Sequence, residues 1–350
     1  MAENVVKTLI DLMLIPSTDK DNKDAIIAYA SDFLRRCGVE VKIVGRPEAP
    51  AIVAAYGFGG VAFSGHLDTV PLGENWTRDQ GEVEGKTIYG RGAVDMKGAC
   101  ACILHVARAL VVEDIPFYIL FTTDEETVMT GAEALKHTHA AKNASSIIIC
   151  EPTDLQVVYR EKGVARFRIT TSGRAAHAST PWVGRNAINA MNEVLTAVGR
   201  MQERSSEEGM SVSVTTITGG VKNNVIPDNC EIEVDVRYPV PMTPREVEEL
   251  FISELMGLDC EVCMEYDLRA FETDPALPFI REAVNYLGRP ALAVSYATEA
   301  AVFSAVNDQV LICGPGSATL AHTADEHVER EQLEKAMEFY KFMAREGVQG

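Results

Sequence analysis

An α/β chain interrupted by an α+β insertion is the fold class predicted by the sequence, on three observations. Short apolar runs bounded by glycine alternate with helix-period segments from the N-terminus to about residue 163. From 164 to 272 the pattern changes to strands of alternating apolar and polar residues with two helices between them. After "FETDP" the first pattern returns and runs to residue 350. One α/β domain is therefore expected in two segments, 1–163 and 273–350, around an α+β domain at 164–272 with its own antiparallel sheet.

The elements follow in order. Amphipathic helices are expected over residues 3–14 and 21–37, then strands at "AIVAAYG" and "VAFSGHLD" by their length and flanking glycines. "DMKGACACILHVARALVV" carries helical periodicity, and "PFYILFTTDEE" and "ASSIIICEPTD" read as buried strands. In the insertion come "VARFRITTSG", a helix over 184–201, "SVSVTTITGG", "CEIEVDVRYP", a helix over 243–256 and "CEVCMEYDLRA". The strands "ALAVSY" and "QVLICGPG" and a helix over 330–346 complete the chain.

With 350 residues the chain exceeds the usual size of one core. Its 32 Lys and Arg against 51 Asp and Glu give a formal charge of −19, which argues against nucleic acid or an anionic membrane surface as partner. The sequence has no apolar run long enough to span a bilayer, and the N-terminus lacks a basic region, apolar core and cleavage site. A soluble cytoplasmic protein is expected. Most of the eight cysteines sit in apolar stretches and should be reduced and buried. Cys260 and Cys263 form a CxxC with no second pair nearby, so it is not read as a zinc ribbon.

Ligand sites in open α/β sheets gather at the carboxyl ends of strands. Those ends and the adjoining loops offer His66 and Asp68, Asp95 in "GRGAVDMKG", Glu125 and Glu126, Glu151, and His322 in "GPGSATLAHTADEH". Taken alone, His66 and Asp68 could be a hydrogen-bonded pair closing a loop, and "DEE" a solvated acidic turn. Together, two histidines and several carboxylates form a borderline-hard donor set suited to Zn²⁺, with Co²⁺ or Mn²⁺ as substitutes. The carboxylates are too many for a single tetrahedral ion, so two metals about 3.5 Å apart are expected, bridged by one carboxylate. Asp95 is assigned as the bridge, His66 and Glu151 to one metal, and Glu126 and His322 to the other. Asp68 is left to orient the His66 ring through its other nitrogen. Glu125, next to a ligand but not itself one, has the position a general base for water requires.

Taken together, these segments resemble the co-catalytic zinc family that contains acetylornithine deacetylase, succinyl-diaminopimelate desuccinylase, aminoacylase and carboxypeptidase G. The matching residues are "SGHLDTVP", "YGRGAVDMKG", "TTDEE", "CEPT" and "AHTADEHV", in family order and at family spacing. The resemblance implies a mixed-sheet zinc-hydrolase domain with two Zn²⁺ per subunit. It also implies that the insertion is a ferredoxin-like lid and dimerisation domain, hinged near residues 163 and 272, in a homodimer. "SGRAAHASTPWVGRNAI" is similar to the family segment in which a histidine, here His177, polarises the scissile carbonyl in the partner subunit's active site. "NNVIPD" and "VDVRYP" place Asn224 and Arg237 where the family holds substrate. By themselves His177 reads as a surface histidine and Arg237 as a salt-bridge partner. A donor aimed at a developing oxyanion contributes about 3 kcal/mol, and a guanidinium offers a bidentate fork to an α-carboxylate.

Within that family "SYATEAAVFS" is closer to the "TEA" of acetylornithine deacetylases than to the "GGTSDGR"-like stretch of desuccinylases. The expected reaction is removal of a small acyl group from the amine of an amino acid, of the acetylornithine or acetyl-lysine type. Thr298, Glu299 and Gly316 are expected to help set substrate preference. A desuccinylase, dipeptidase or carboxypeptidase of the same family is the enzymatic alternative. A non-catalytic scaffold would have lost the base or a ligand, and all are present. A nucleotide-binding protein would want a glycine loop between the first strand and a helix, whereas "GFGGVAF" leads into a strand.

Overall fold

In the computed structural model, which describes residues 2–207 and 209–347, four short apolar segments pair in parallel at the centre of a mixed sheet. They are Phe117–Thr122, Ala62–His66, Ile147–Pro152 and Val310–Gly314, in that spatial order, and every residue in them is buried. Strands covered on both faces read as continuous apolar runs, which is why these were visible in the sequence. Ala49–Tyr56 and then Glu40–Arg46 extend the sheet antiparallel at one side, and Val158–Glu161 pairs antiparallel at the other. The outer strand Glu40–Arg46 was not foreseen. It is mostly exposed along its length and lacks the continuous apolar run of the central strands, its Val41 and Ile43 alternating with Glu40 and Lys42.

The chain divides into two compact units, the first comprising Met1–Arg160, Thr273–Ala293 and Thr298–Gly350, the second Glu161–Glu272 with Val294–Ala297. In the first, alternate residues of Ala62–His66 show what covers each face. Phe63 meets the ring of Tyr340 from the last helix, Arg330–Glu346, and Gly65 lies where a Cβ would strike Met96 and Cys100. Ser64 points the other way, to Glu299 before the short helix Ala300–Phe303. The helix Lys97–Val112 is apolar on most sides because it is sandwiched between the sheet and the last helix. Its one buried cation, Lys97, donates to the carbonyls of Leu12 and Ile15, and burial pushes its pKa down to about 8.

The second unit is a four-stranded antiparallel sheet in the order Ser211–Gly219, Asn229–Tyr238, Gly163–Ser172, Glu261–Leu268. With the helices Ala187–Ser205 and Pro244–Glu254 the chain order is βαββαβ, a ferredoxin-like arrangement. Its core is formed by residues such as Phe167, Ile169, Met191, Val194, Val234 and Phe251. The first helix starts at Ala187 rather than 184, because the Asn186 carboxamide accepts the amides of Ile188 and Asn189. A 3₁₀ turn at Pro181–Val183 precedes it. The second begins in a capping box between Thr243 and Glu246. The expected strand "ALAVSY" shrinks to Leu292–Ala293.

Candidate metal centre

Parallel strands deliver their carboxyl ends to one edge of the sheet, and that edge collects the first unit's polar residues. His66 ends one strand, Glu151 lies near the end of another, and Thr122 leads into Asp124, Glu125 and Glu126. Asp95 sits in the turn before the helix Lys97–Val112, and His322 in the loop after Val310–Gly314. Two groups of possible donors result, His66–Asp95–Glu151 and Asp95–Glu126–His322, each with its donor atoms within 4.8 Å of one another. Asp95 is common to both. Its Oδ1 lies 3.0 Å from His66 Nε2 and its Oδ2 lies 3.2 Å from His322 Nε2. His66 Nε2 is 3.4 Å from Glu151, and His322 Nε2 is 3.0 Å from Glu126.

Asp68 acts through two different groups. Its main-chain carbonyl accepts from His66 Nδ1 at 3.0 Å, with its own Oδ1 3.5 Å from the same nitrogen, which orients the ring so that Nε2 faces Asp95 and Glu151. Its carboxylate accepts the backbone amides of Glu125 and Glu126 at 3.3 and 3.1 Å and so fixes the turn that presents both glutamates. The third acid of "DEE" is structural. Asp124 accepts from the amides of Thr130 and Gly131 and from the Thr130 hydroxyl, anchoring the short helix Thr130–Leu135. Glu125 belongs to neither donor group.

Crowding of carboxylates sets the electrostatics. Burial works against a charged His66, but Glu151, Asp68 and Asp95 outweigh it and hold its pKa well above the usual value. Hydrogen bonds from its ring to the Asp95 and Glu126 carboxylates push His322 up to about 10. Burial lifts Glu125 and Glu151 well above the ordinary carboxylate range, with neighbouring acids adding to the effect. Asp95 is pulled the other way by both histidines, against its own burial. Asp68, Asp95, Glu125, Glu126 and Glu151 around two imidazoles are an excess of negative charge, which two dications would neutralise. Imidazole nitrogens with carboxylate oxygens are a donor set that fits zinc-type ions.

The remaining sequence-predicted residues are placed as follows. Thr298 is buried and its hydroxyl accepts the Ala300 amide. Gly316 has φ +80°, and a Cβ there would lie 2.3 Å from Val94, so loop packing alone requires glycine. Glu299 is 1 % exposed, accepts from the Ser64 hydroxyl and is raised by burial to about 7. His177, Asn224 and Arg237 all lie in the second unit. His177 pairs with Val225 in a two-residue ladder, and the Ala178 amide donates to the Asn224 carbonyl. The Ser179 amide donates to His177 Nδ1 at 3.2 Å, so the neutral ring carries its proton on Nε2. Both Nε and Nη2 of Arg237 bond the Asp235 carboxylate. Sequence reasoning missed Arg91 and Glu326, a buried pair flanking Asp95 and His322 in the chain. Their only signal was a charged residue inside each of the motifs "YGRG" and "ADEHV".

Known proteins resemble this chain in sequence and in fold. The chain is 31% identical over 349 residues to an acetylornithine deacetylase of Proteus mirabilis (strain HI4320), covering 92% of this chain and 89% of that protein. Its fold resembles a tripeptidase from Staphylococcus aureus (TM-score 0.83, 19% identity, 100% of this chain and 99% of that one). It also resembles a dinuclear metal-binding M20 peptidase from Bacillus subtilis (TM-score 0.76, 17% identity, 98% and 97% covered). The model of peptidase family M20/M25/M40 matches residues 62–346, a span that contains every donor named above. With the shared carboxylate, the two histidines and a match over most of its length, the chain belongs to the peptidase family M20/M25/M40, and it is a hydrolase.

Proposed function

We propose that the chain hydrolyses the amide bond of an N-acyl amino acid, of the N-acetyl-ornithine or N-acetyl-lysine type, using two Zn²⁺ per subunit. The observation that carries the reading is Asp95, whose two oxygens face the two imidazoles, with Glu125 beside both donor groups and outside each. His66, Asp95 and Glu151 would hold one ion, and Asp95, Glu126 and His322 the other. When bound, the ions supply Lewis acidity to the substrate carbonyl and to water. Glu125 takes a proton from water as the new C–O bond forms, then passes it to the nitrogen as the C–N bond breaks, leaving a carboxylate and a free amine. A glutamate whose pKa is raised by burial is suited to both transfers. His177 Nε2–H is available as donor to the carbonyl oxygen, and Asn224 and Arg237 would hold the substrate.

Support for a deacylase comes from the acetylornithine deacetylase relative and from the "TEA" segment at Thr298–Ala300. The homodimer belongs to the same proposal. One of the two edge strands of the second unit's sheet, Ser211–Gly219, exposes Val214 and Ile217. Among the described residues no helix is long and apolar enough to cross a membrane, and a cytoplasmic enzyme is proposed. The test is turnover of the zinc-reconstituted chain on N-acetyl-ornithine, N-acetyl-lysine, N-succinyl-diaminopimelate and an unblocked dipeptide. Preference for an acetylated amino acid is expected. Preference for the succinyl substrate would make it a desuccinylase, and activity on the dipeptide alone a peptidase.

A further inference from the structure

The two donor groups are supported differently. His66 and Glu151 project from buried strands of the central sheet, whereas Asp95 and His322 sit on irregular segments. One side chain ties those segments together. Glu326 is fully buried, and its Oε1 accepts the backbone amides of Val94 at 3.0 Å and Asp95 at 3.2 Å. Its Oε2 accepts from Arg91 Nη1 at 2.5 Å, and Arg91 Nη2 donates to the Leu72 carbonyl. The Glu326 carbonyl accepts the Gly90 amide at 2.9 Å. Glu326 follows His322 by four residues, and the next strand, His327–Glu329, pairs with Thr87–Tyr89 just ahead of Arg91.

We infer that Glu326, held by Arg91, is the positioning residue that fixes Asp95 relative to His322 and thereby sets occupancy of the second metal position. The inference rests on the two-metal reading above. A metal between His66 and Glu151 keeps two strand-held ligands whatever happens to this tie. The metal between Glu126 and His322 depends on it, because both Asp95 and His322 are carried by the backbone that Glu326 joins. Such support of ligands is typically worth 10- to 100-fold in metal affinity.

The experiment is titration of the metal-free full-length chain with Zn²⁺ against a chromophoric chelator, resolving two equivalents, with Co²⁺ absorption spectra alongside. In Glu326→Gln the second equivalent should weaken at least about tenfold while the first stays within about threefold of the wild-type value. The Co²⁺ spectrum of the second equivalent should change and that of the first should not. Glu326→Asp keeps the charge and shortens the reach, and should show the same selective loss to a smaller degree. It decides the matter if Glu326→Gln does not fold. Two equivalents at wild-type affinity, or parallel weakening of both, would overturn the positioning role alone. A wild-type chain that binds only one equivalent would overturn the two-metal reading, and this inference with it.

Discussion

Replacing Glu125 by glutamine separates catalysis from metal binding. The substitution keeps side-chain volume, and the residue's backbone amide still donates to Asp68, so the turn presenting Glu126 should hold. Glu125 lies outside both donor groups, so both metal equivalents should remain. What is lost is a proton carrier, and general base catalysis is typically worth about 10²–10⁴ in rate. The expected fall in kcat is therefore at least about 100-fold, or about 2.7 kcal/mol of barrier, with KM changed far less. The metal-free variant should also unfold at a higher temperature, because burial raises the pKa of the native carboxyl and an amide removes the cost of ionising it there. Initial rates on N-acetyl-ornithine at saturating zinc, metal content by mass spectrometry and thermal unfolding would measure all three. Undiminished turnover would refute the assignment of the base. Loss of metal from Glu125→Gln with retention in Glu126→Gln would show that the two roles are exchanged.

Glu126→Gln should weaken one metal equivalent by at least about tenfold in a chelator competition and leave the other, since Glu126 belongs to only one donor group. Asp68→Ala removes the acceptor for two backbone amides, and both kcat and metal affinity should fall about 10- to 100-fold, read from rates and zinc titration. Glu299 is raised from 4.5 to about 7 by burial. The folded chain therefore holds that proton where the unfolded chain has lost it, and this group's contribution, full below pH 4.5, falls as pH rises to about 7. Urea unfolding of the metal-free chain should show Glu299→Gln gaining on wild type across that window by at most about 3 kcal/mol. His177→Ala should lower kcat by about 10²–10³. If His177 serves the partner subunit, mixing that variant with Glu125→Gln should restore part of the activity lost in each alone.

Legibility in the sequence followed burial. Ala62–His66, Phe117–Thr122, Ile147–Pro152 and Val310–Gly314 could be read directly because every residue in them is covered. Glu40–Arg46 has no such continuous run, since most of its side chains face water and only Val41 and Val44 are half-buried. Two of the candidate donors, His66 and Glu151, stood out for the same reason, since a charged or imidazole side chain closing an apolar run is conspicuous and parallel pairing brings those ends together. Asp95 and His322 lie in turns, and only the motifs around them pointed to them. What could not be read was the second set of contacts. That Asp68 orients His66 through a carbonyl and uses its carboxylate on two amides, or that Asp124 anchors a helix, depends on φ and ψ in loops with no periodicity. Glu326 was hidden further, because its partners Arg91, Val94 and Asp95 are more than two hundred positions away in the chain.

In the proposed reading the two units bring opposite chemistry. The first gathers carboxylates, and without cations the cost of burying them appears as raised pKa values at Glu125 and Glu151. The second contributes donors, and each already has a partner that limits what it can offer. His177 accepts the Ser179 amide at Nδ1, so only Nε2–H is left to meet a carbonyl oxygen. Arg237 is engaged by Asp235 at 2.8 and 3.2 Å, so a substrate carboxylate must share the fork with another anion or displace it. A ligand without a carboxylate gains nothing from that exchange. In that reading metal content and kcat test the donors and base of the first unit, kcat at constant metal content tests His177, and KM at constant metal content tests Arg237, whose substitution should leave metal binding unchanged.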